Sequence, residues 1–547
     1  MKAVVPEIAW HNKSPVFTVD IQLTVNNGFY RAATGGGDSH VVVWHLFWNE
    51  GTNDITTSFA ADLDRHIKAV NVVRFSKNGQ LLASGDDDAI IIIWTLKAGQ
   101  VNANSSFTNE DGNKENWVSL KTLRGHKDDI YDICWSPFSN ELLSGSVDNT
   151  AIIWNIDKGS NTGTLGEHNG FIQGVAWDPK GKCLATLSSD RSLRVFDADS
   201  RKLVSKVTKA KINKVTGQDT EGEDNYIRLF HDDTVKTFFR RLNFSPDGNL
   251  IFVPCGVYRD GENEAKPPND VSYVFLKTKP ERPVLHLPSP DEYTIAVKCC
   301  PILFELNPTQ SNVFELPYRI IFAVASRRSI VFYDTQQTAP FAFVTDIHYA
   351  TLTDISWSYD GRLLLASSSD GYCTIVTFAE GELGVPYEAL TTSTDAFDDL
   401  GLKLLDVTCQ KSPEPTKNNS AGDIESALVE KCSDKIEDSP AKAESPEISI
   451  VAFTERKENN IESEIKREPE TNVSGTSSSV PVQSPVTTMT EEDSTEGMEK
   501  NVETTNLDNP DDNAMDVTET EEPAAMPETV NEEESKMVTS NNCPSET

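Results

Sequence analysis

The chain repeats one pattern of apolar and polar positions: an apolar strand, a polar turn and a second apolar strand. The pattern occurs in LLASGDDDAIIIIW at 81–94, LLSGSVDNTAIIW at 142–154, LATLSSDRSLRVF at 184–196 and LLLASSSDGYCTIV at 363–376. Each copy predicts a β-hairpin, because short apolar runs bounded by turn residues are typical of strands. Hairpins that recur along a chain indicate an architecture built from repeated units.

Seven units of about four strands each can be placed along the chain, which predicts a closed ring of blades. Their first strands begin near Val16, Asn71, Ile130, Ile172, Lys236, Thr294 and Leu352. The leading segment 2–9 is predicted to complete the last blade, because closing the ring removes an exposed sheet edge. Polar insertions are predicted at 97–115, 259–270 and 305–317, and the run 201–214 adds a basic edge.

Buried polar residues recur at fixed positions in these units. His66, Ser84, Asp88 and Trp94 form one set, and His126, Ser144, Asp148 and Trp154 form another. This spacing resembles the structural tetrad of WD40 repeats, in which a buried His joins a turn Asp to a strand hydroxyl. The fold predicted for residues 1–386 is therefore an all-β, seven-bladed WD40 β-propeller.

The same Ser, His and Asp residue types could suggest a hydrolase triad. We reject that interpretation, because the trio recurs at equivalent repeat positions, whereas a triad is recognised by one unique site geometry. The sequence contains no Walker loop, no HExxH motif and no Cys/His cluster at metal spacing. We therefore expect no catalytic residues, no metal, no cofactor and no enzymatic activity.

Composition divides the chain near residue 390. Residues 401–547 carry 34 acidic and 12 basic residues, and Phe453 is their only aromatic residue. Such a segment cannot offset its ordering entropy by apolar burial, so 387–547 is predicted to be a disordered acidic tail. The net charge of −36 argues against direct DNA binding. No apolar run has transmembrane length, and the scattered cysteines are typical of a cytosolic or nuclear protein.

Several stretches closely resemble the p60-type, WD-repeat subunit family of chromatin assembly factor 1. They are EIAWHNKSPVF at 7–17, HIKAVNVVRFS at 66–76, NKENW at 113–117, TLRGHKDDIYDICW at 122–135, SVDNTAIIW at 146–154, FHDDTVKTFFRRLNFSPDG at 230–248, LPYRIIFAVAS at 316–326 and SSSDGYCTIVTF at 367–378. The resemblance covers about residues 1–386. NKENW and FHDDTVKTFFRR are its most specific parts, because they are not repeat-consensus residues.

The resemblance implies a non-enzymatic nuclear histone chaperone that deposits histones H3–H4 on newly replicated DNA. It implies the large and small subunits of chromatin assembly factor 1 as partners, with histone contact either direct or through the large subunit. Family members also recruit the anti-silencing-function histone chaperone through an Arg-Arg tail motif, which this tail lacks. Two alternatives stay open: a Hir-class, replication-independent chaperone, and a ubiquitin-ligase substrate receptor, although Trp-Asp-x-Arg blade ends are missing.

Two surface candidates depart from the repeat. KTFFRR at 236–241 contains Phe238, Phe239, Arg240 and Arg241, which are either blade core with ordinary arginines or an aromatic-and-Arg partner anchor. If they form an anchor, changing both arginines to Glu should weaken large-subunit binding and leave the fold intact. In NKENW, we expect Asn113, Lys114, Glu115 and Asn116 to be exposed and Trp117 to pack. Ser412, Ser439, Ser445 and Ser484 precede prolines and are candidate phosphorylation sites.

Overall fold

The computed structural model describes residues 1–387, except 25, 27, 50, 53, 99–111, 212–225 and 260–267, together with one strand at 449–452. The chain divides into two compact units, residues 1–458 and 459–547, and the described residues all belong to the first. The predicted disorder of the tail concerns residues that lie, apart from this strand and Tyr387, outside the described part.

The first unit is an all-β, seven-bladed propeller, as predicted. Each blade is an antiparallel sheet whose strands follow chain order from the centre outward, except that the outermost strand of blade 7 comes from the start of the chain. The strands of blades 1 to 4 are β2 (Val16–Ile21), β3 (Tyr30–Gly36), β4 (Val41–Asn49), β5 (Asp54–Leu63), β6 (Val70–Phe75), β7 (Leu81–Asp86), β8 (Ile90–Leu96), β9 (Trp117–Arg124), β10 (Ile130–Trp135), β11 (Glu141–Ser146), β12 (Ala151–Asn155), β13 (Ser160–Leu165), β14 (Ile172–Trp177), β15 (Cys183–Ser188), β16 (Ser192–Asp197) and β17 (Leu203–Val207).

Blades 5 to 7 follow the same plan, and blades 5 and 6 contain some longer strands that pair with register shifts. Their strands are β20 (Asn243–Phe244), β21 (Leu250–Tyr258), β22 (Asn269–Leu276), β23 (Lys279–Pro288), β24 (Thr294–Phe304), β25 (Arg319–Ser326), β26 (Ile330–Asp334), β27 (Ala342–Thr345), β28 (Leu352–Trp357), β29 (Leu363–Ser368) and β30 (Cys373–Thr377). A small hairpin of β18 (Lys209–Lys211) and β19 (Tyr226–Arg228) lies between blades 4 and 5, and β31 (Ser449–Ala452) is a fifth strand of blade 6.

The two ends of the propeller meet in blade 7. The strand β1 (Lys2–Val4) pairs antiparallel with β30, with Ala3 opposite Val376, and so forms the outermost strand of that sheet. The Met1 ammonium group also pairs with the Glu382 carboxylate. The ring is therefore closed by strands from opposite ends of the propeller sequence, and residues 5–9 lie outside the closing strand.

The hydrophobic core lies between neighbouring blades rather than within one sheet. One cluster joins Val41 and Val43 of blade 1 to Val73, Ile92 and Trp94 of blade 2. The inner strands β6, β14 and β28 are buried along their whole length, so both faces of each strand pack against other parts of the protein. Each blade consequently needs its neighbours for stability, as expected of a repeat architecture.

One strand prediction is wrong. The sequence predicts that the first strand of blade 5 begins at Lys236, but the innermost strand there is only β20, and the preceding residues run irregularly across the inner face of the ring. Their backbone bonds go to other blades: the Arg240 N–H donates to Gln173 O, and the Arg241 N–H donates to Ile295 O. Long-range partners thus replace a regular ladder.

Candidate partner-binding surface

The blade 3 tetrad is brought together by three neighbouring hydrogen bonds. Trp154 Nε1 donates to Ser144 Oγ at 2.8 Å, Ser144 Oγ lies 2.7 Å from His126 Nε2, and His126 Nδ1 lies 2.9 Å from Asp148 Oδ2. A carboxylate can only accept, so the proton of His126 is assigned to Nδ1. Burial would raise the pKa of Asp148, but the bonds from His126 and Thr150 outweigh it and lower that pKa. Every buried polar group in the chain of bonds therefore has a partner.

In blade 2 the predicted tetrad is wrong at one position. His66 Nδ1 lies 2.6 Å from Asp86, and not next to Asp88, while Ser84 and Trp94 occupy their predicted places. Asp86 ends β7 and is fully buried, so it can also accept the backbone N–H groups of Asp88 and Ile90 at 3.0 Å. Asp88 remains exposed in the turn.

The same arrangement recurs around the ring with local substitutions. His11 lies 2.8 Å from both Asp38 and Thr34 in blade 1, although it precedes the first repeat and was missed in the sequence. In blade 7, His348 reaches Thr374 at 2.8 Å, because Ala366 offers no hydroxyl. Repetition in several blades fits internal bracing and not an active site.

The KTFFRR run does not present its arginines to a partner. Arg240 and Arg241 are 0% and 1% exposed, so their prediction as a surface anchor is wrong. Phe239 is also buried, and the Arg241 guanidinium lies 4.2 Å from the centre of its ring. Phe238 is the exception, with 61% of its surface exposed.

Arg241 belongs to an ion network in the middle of the ring. Its Nη1 lies 2.8 Å from Asp132, its Nε lies 3.5 Å from Asp354, and Arg74 Nη1 lies 2.6 Å from Asp354. Burial would raise the pKa of Asp354, but Arg241, Arg74 and Lys298 lower it to about 2. Burial of a charge is tolerated here because each charge is paired.

NKENW is only partly exposed. Glu115 is buried, which corrects its prediction as a surface residue, whereas Lys114 is exposed and Asn113 and Asn116 are half-buried. Glu115 Oε1 accepts from Arg31 Nη2 at 2.6 Å and lies 2.7 Å from His45 Nε2. Burial would raise the pKa of Glu115, but these partners and the Trp117 indole lower it to about 2. This segment therefore ties blade 2 to blade 1.

The mouth of the ring nearest the tetrads combines an aromatic cluster with acidic side chains. Phe238 packs edge-on against Tyr131 at 5.9 Å between ring centres, and Phe239 fills the space between Tyr131 and Phe17. The carboxylates of Asp129, Asp87 and Asp128 all act on Tyr131 electrostatically. Burial and the neighbours Asp87 and Asp128 raise the pKa of Asp129 to about 6.

We call this surface, formed by Phe238, Tyr131, Asp87, Asp128 and Asp129, the aromatic–acidic mouth. It offers an exposed ring on a rigid base beside repelling carboxylates, and Lys68 offsets only part of the charge at Asp87. Such a surface suits a partner that brings an apolar group together with positive charge.

A cavity of about 390 Å³ lies at the ends of the inner strands that are farther from the aromatic–acidic mouth. It is lined by the aromatic residues that end those strands, among them Trp135, Trp177 and Trp357. The indoles of Trp135 and Trp357 donate to backbone carbonyls of Arg74 and Lys298. Trp135 and Trp357 therefore brace neighbouring blades.

The propeller matches one known family over nearly its whole length. The model of the CAF1B/HIR1 beta-propeller domain matches residues 1–383. The chain belongs to this CAF1B/HIR1 family. The family prediction drawn from the sequence is therefore confirmed.

Relatives that resemble the chain include chromatin assembly factor 1 subunits and HIR1 proteins. A chromatin assembly factor 1 subunit of Mus musculus is 46% identical over 399 residues, covering 71% of this chain and 68% of the mouse protein. The Saccharomyces cerevisiae subunit of the same name is 32% identical over 413 residues, covering 69% and 86%. Protein HIR1 of Gibberella zeae is 29% identical over 360 residues, covering 65% and 33%. The family is one of chromatin assembly proteins.

Within the described ranges, no group of His, Cys, Asp and Glu side chains could hold a metal ion. None of the described residues forms a helix that is long and apolar enough to cross a membrane. The candidate phosphorylation sites Ser412, Ser439, Ser445 and Ser484 lie outside the described residues.

Proposed function

We propose that the chain is the propeller subunit of a chromatin assembly factor 1-type complex, and that it acts as a non-enzymatic histone chaperone in replication-coupled nucleosome assembly. The observation that carries the proposal is the 46% identity to the mouse chromatin assembly factor 1 subunit across the propeller, against 29% and 28% to two HIR1 proteins. Its partners would be the large and small subunits of that complex and histones H3–H4, and its location would be the nucleus.

The mechanism we propose is binding and hand-over without a chemical step. The ring is a rigid scaffold, because its buried network pairs charges from several blades. The aromatic–acidic mouth would contact a basic segment of a partner, with Phe238 against apolar side-chain stems and the carboxylates against the cationic groups. Negative charge on such a scaffold would also suppress non-specific contacts between histones and DNA.

The composition of the purified complex tests the assignment. The tagged full-length chain, isolated from replicating cells, should recover H3–H4 and both other subunits. Recovery of neither would overturn the proposal. The anti-silencing-function chaperone is a further candidate partner, and its recovery would identify a contact that does not use an Arg-Arg motif.

The aromatic–acidic mouth is tested by substitution in the full-length chain. Phe238→Ala with Asp128→Asn and Asp129→Asn should weaken retention of H3–H4 or of one of the other two subunits at least tenfold, without lowering the melting temperature. Phe138→Ala is the matched control, because Phe138 is 79% exposed and follows the opposite end of β10. Equal retention by the triple variant and the control would remove the mouth from the proposal.

A Hir-class chaperone is the second candidate, since the matching family model covers both kinds of propeller. Replication-coupled assembly predicts that the chain accumulates at sites of DNA synthesis in S phase. A distribution that ignores DNA synthesis would instead favour the replication-independent class.

A further inference from the structure

Blade 6 is the one described sheet with five strands. Its fifth strand, β31, comes from the tail and pairs antiparallel with β27, the outermost strand of the regular blade. The register places Ala342 opposite Ala452, Phe343 opposite Val451, Val344 opposite Ile450 and Thr345 opposite Ser449. Four consecutive pairs define a short ladder on the perimeter of the ring.

The outer edge of β27 differs from the outer edges of the other blades. An outermost strand carries unpaired backbone groups, and proteins usually protect such an edge with charged residues, Pro, β-bulges or a covering segment. Charged residues lie in the outermost strands β5, β9, β17, β23 and β1, and β13 pairs with its neighbour across a register shift. β27 reads Ala-Phe-Val-Thr and has none of these features.

The sequence of the covering strand also differs from that of the residues on either side of it. Ser449–Ala452 lies in ISIVAF at 448–453, an uncharged run within a segment that is otherwise strongly acidic. Val and Ile favour strands, whereas the charged residues around them do not. An apolar, β-prone tail strand therefore covers the least protected edge of the ring.

We propose that the outer edge of β27 is a strand-docking site, occupied by the chain's own Ser449–Ala452, which an extended uncharged segment of a partner protein must displace. The resident strand is held by a ladder of only four residue pairs, whereas strands usually have about 5–6 residues, and this short ladder makes the resident strand exchangeable. Recognition would use backbone pairing, as in other cases of strand addition.

Hydrogen exchange on the full-length chain tests the resident strand. Ile450→Pro with Val451→Pro removes two neighbouring N–H groups, so one of them must be lost from the ladder whichever way the strand faces. Val486→Pro with Thr487→Pro is the matched control elsewhere in the tail. We expect amides of 342–345 to exchange at least tenfold faster in the first variant only. Equal exchange in both variants would overturn the assignment of the resident strand.

Competition tests the docking site itself. A labelled peptide of residues 446–455 should bind the Ile450→Pro/Val451→Pro variant at least tenfold more tightly than the unaltered chain or the control variant. A second variant, Phe343→Pro in β27, should abolish this binding in the same background. Equal peptide binding to all of these chains would overturn displacement. Neither measurement involves histones, so its outcome is independent of the proposed chaperone function.

Discussion

The His66 imidazole forms a hydrogen bond with only one of two carboxylates that are two residues apart in the sequence. Asp86 is buried and 2.6 Å from His66 Nδ1, while Asp88 points to solvent. Asp86→Ala would leave the imidazole and two backbone N–H groups without their acceptor. We expect a loss of roughly 3 kcal/mol in unfolding free energy, because an unsatisfied buried group costs about 1–3 kcal/mol.

Asp88→Ala is the matched control for this substitution. It changes an exposed turn residue, so the expected loss is within about 0.5 kcal/mol. Urea denaturation of both variants at neutral pH measures the difference. A larger loss of unfolding free energy for Asp88→Ala than for Asp86→Ala would instead support Asp88 as the tetrad carboxylate, as the sequence spacing predicts.

Arg241 is a second buried residue whose charge should affect stability. Arg241→Met would leave Asp132 and Asp354 with less compensating charge in the interior of the ring, which should cost about 3–5 kcal/mol. Lys236→Met, in the same run but exposed, should change stability by less than about 0.5 kcal/mol. Comparable denaturation midpoints for the two variants would contradict a structural role of Arg241.

At the scale of elements, the close approach of two segments depends on Gly174 in β14. An added Cβ there would lie 1.9 Å from the carbonyl oxygen of Arg240, which is fixed backbone and cannot move aside cheaply. Gly174→Ala should therefore displace the run that leads to Arg241 and cost at least about 2 kcal/mol. Gly51→Ala is the control, because an added Cβ there meets no atom within 4 Å, and it should leave the melting temperature nearly unchanged. Thermal unfolding of both variants measures the difference.

The sequence predicts the elements whose signal is local. Apolar runs bounded by turns identify the hairpins, and the spacing of His126, Ser144, Asp148 and Trp154 anticipates a set that the fold brings together. The misplaced residues are those whose surroundings come from other blades. Arg241 contacts groups more than 100 positions away, and its burial cannot be inferred from its neighbours in the chain.

His11 and Asp86 show two further limits of local patterns. His11 precedes the first repeat, so no repeat spacing identifies it as the partner of Asp38. In blade 2 three consecutive Asp residues lie at the end of β7 and in the turn after it, and spacing alone selects the third of them. The choice of Asp86 follows from its burial at the end of β7, which only the packed ring defines.

For the whole molecule, Asp354 is a junction between blades that are distant in sequence. It accepts Thr18 Oγ1 at 2.8 Å from blade 1 and Arg74 Nη1 at 2.6 Å from blade 2, and it lies beside Arg241. Because a ring has no end, loss of this junction affects packing between several pairs of blades at once. Its protonation should therefore influence the stability of the entire propeller.

The pH dependence of unfolding tests this role. The pKa of Asp354 is lowered to about 2 in the folded protein, whereas an unfolded Asp titrates near 3.9. Below the unfolded value the unfolded chain binds more protons, so stability should be fully present above about pH 5 and fall progressively toward pH 2. The lowered pKa values of Glu115 and Asp148 act in the same direction.

Asp354→Asn separates the contribution of the Asp354 carboxylate to stability from that of Glu115 and Asp148. The variant should be about 3 kcal/mol less stable than the unaltered chain at pH 7, because Arg74 and Arg241 lose a buried counter-charge. The gap should narrow as the pH falls from 5 to 2, where the native carboxyl also becomes neutral. Asp88→Asn changes an exposed turn residue and should differ from the unaltered chain by less than about 0.5 kcal/mol at pH 7. A gap for Asp354→Asn that stays constant from pH 7 to pH 2 would show that its charge does not hold the blades together.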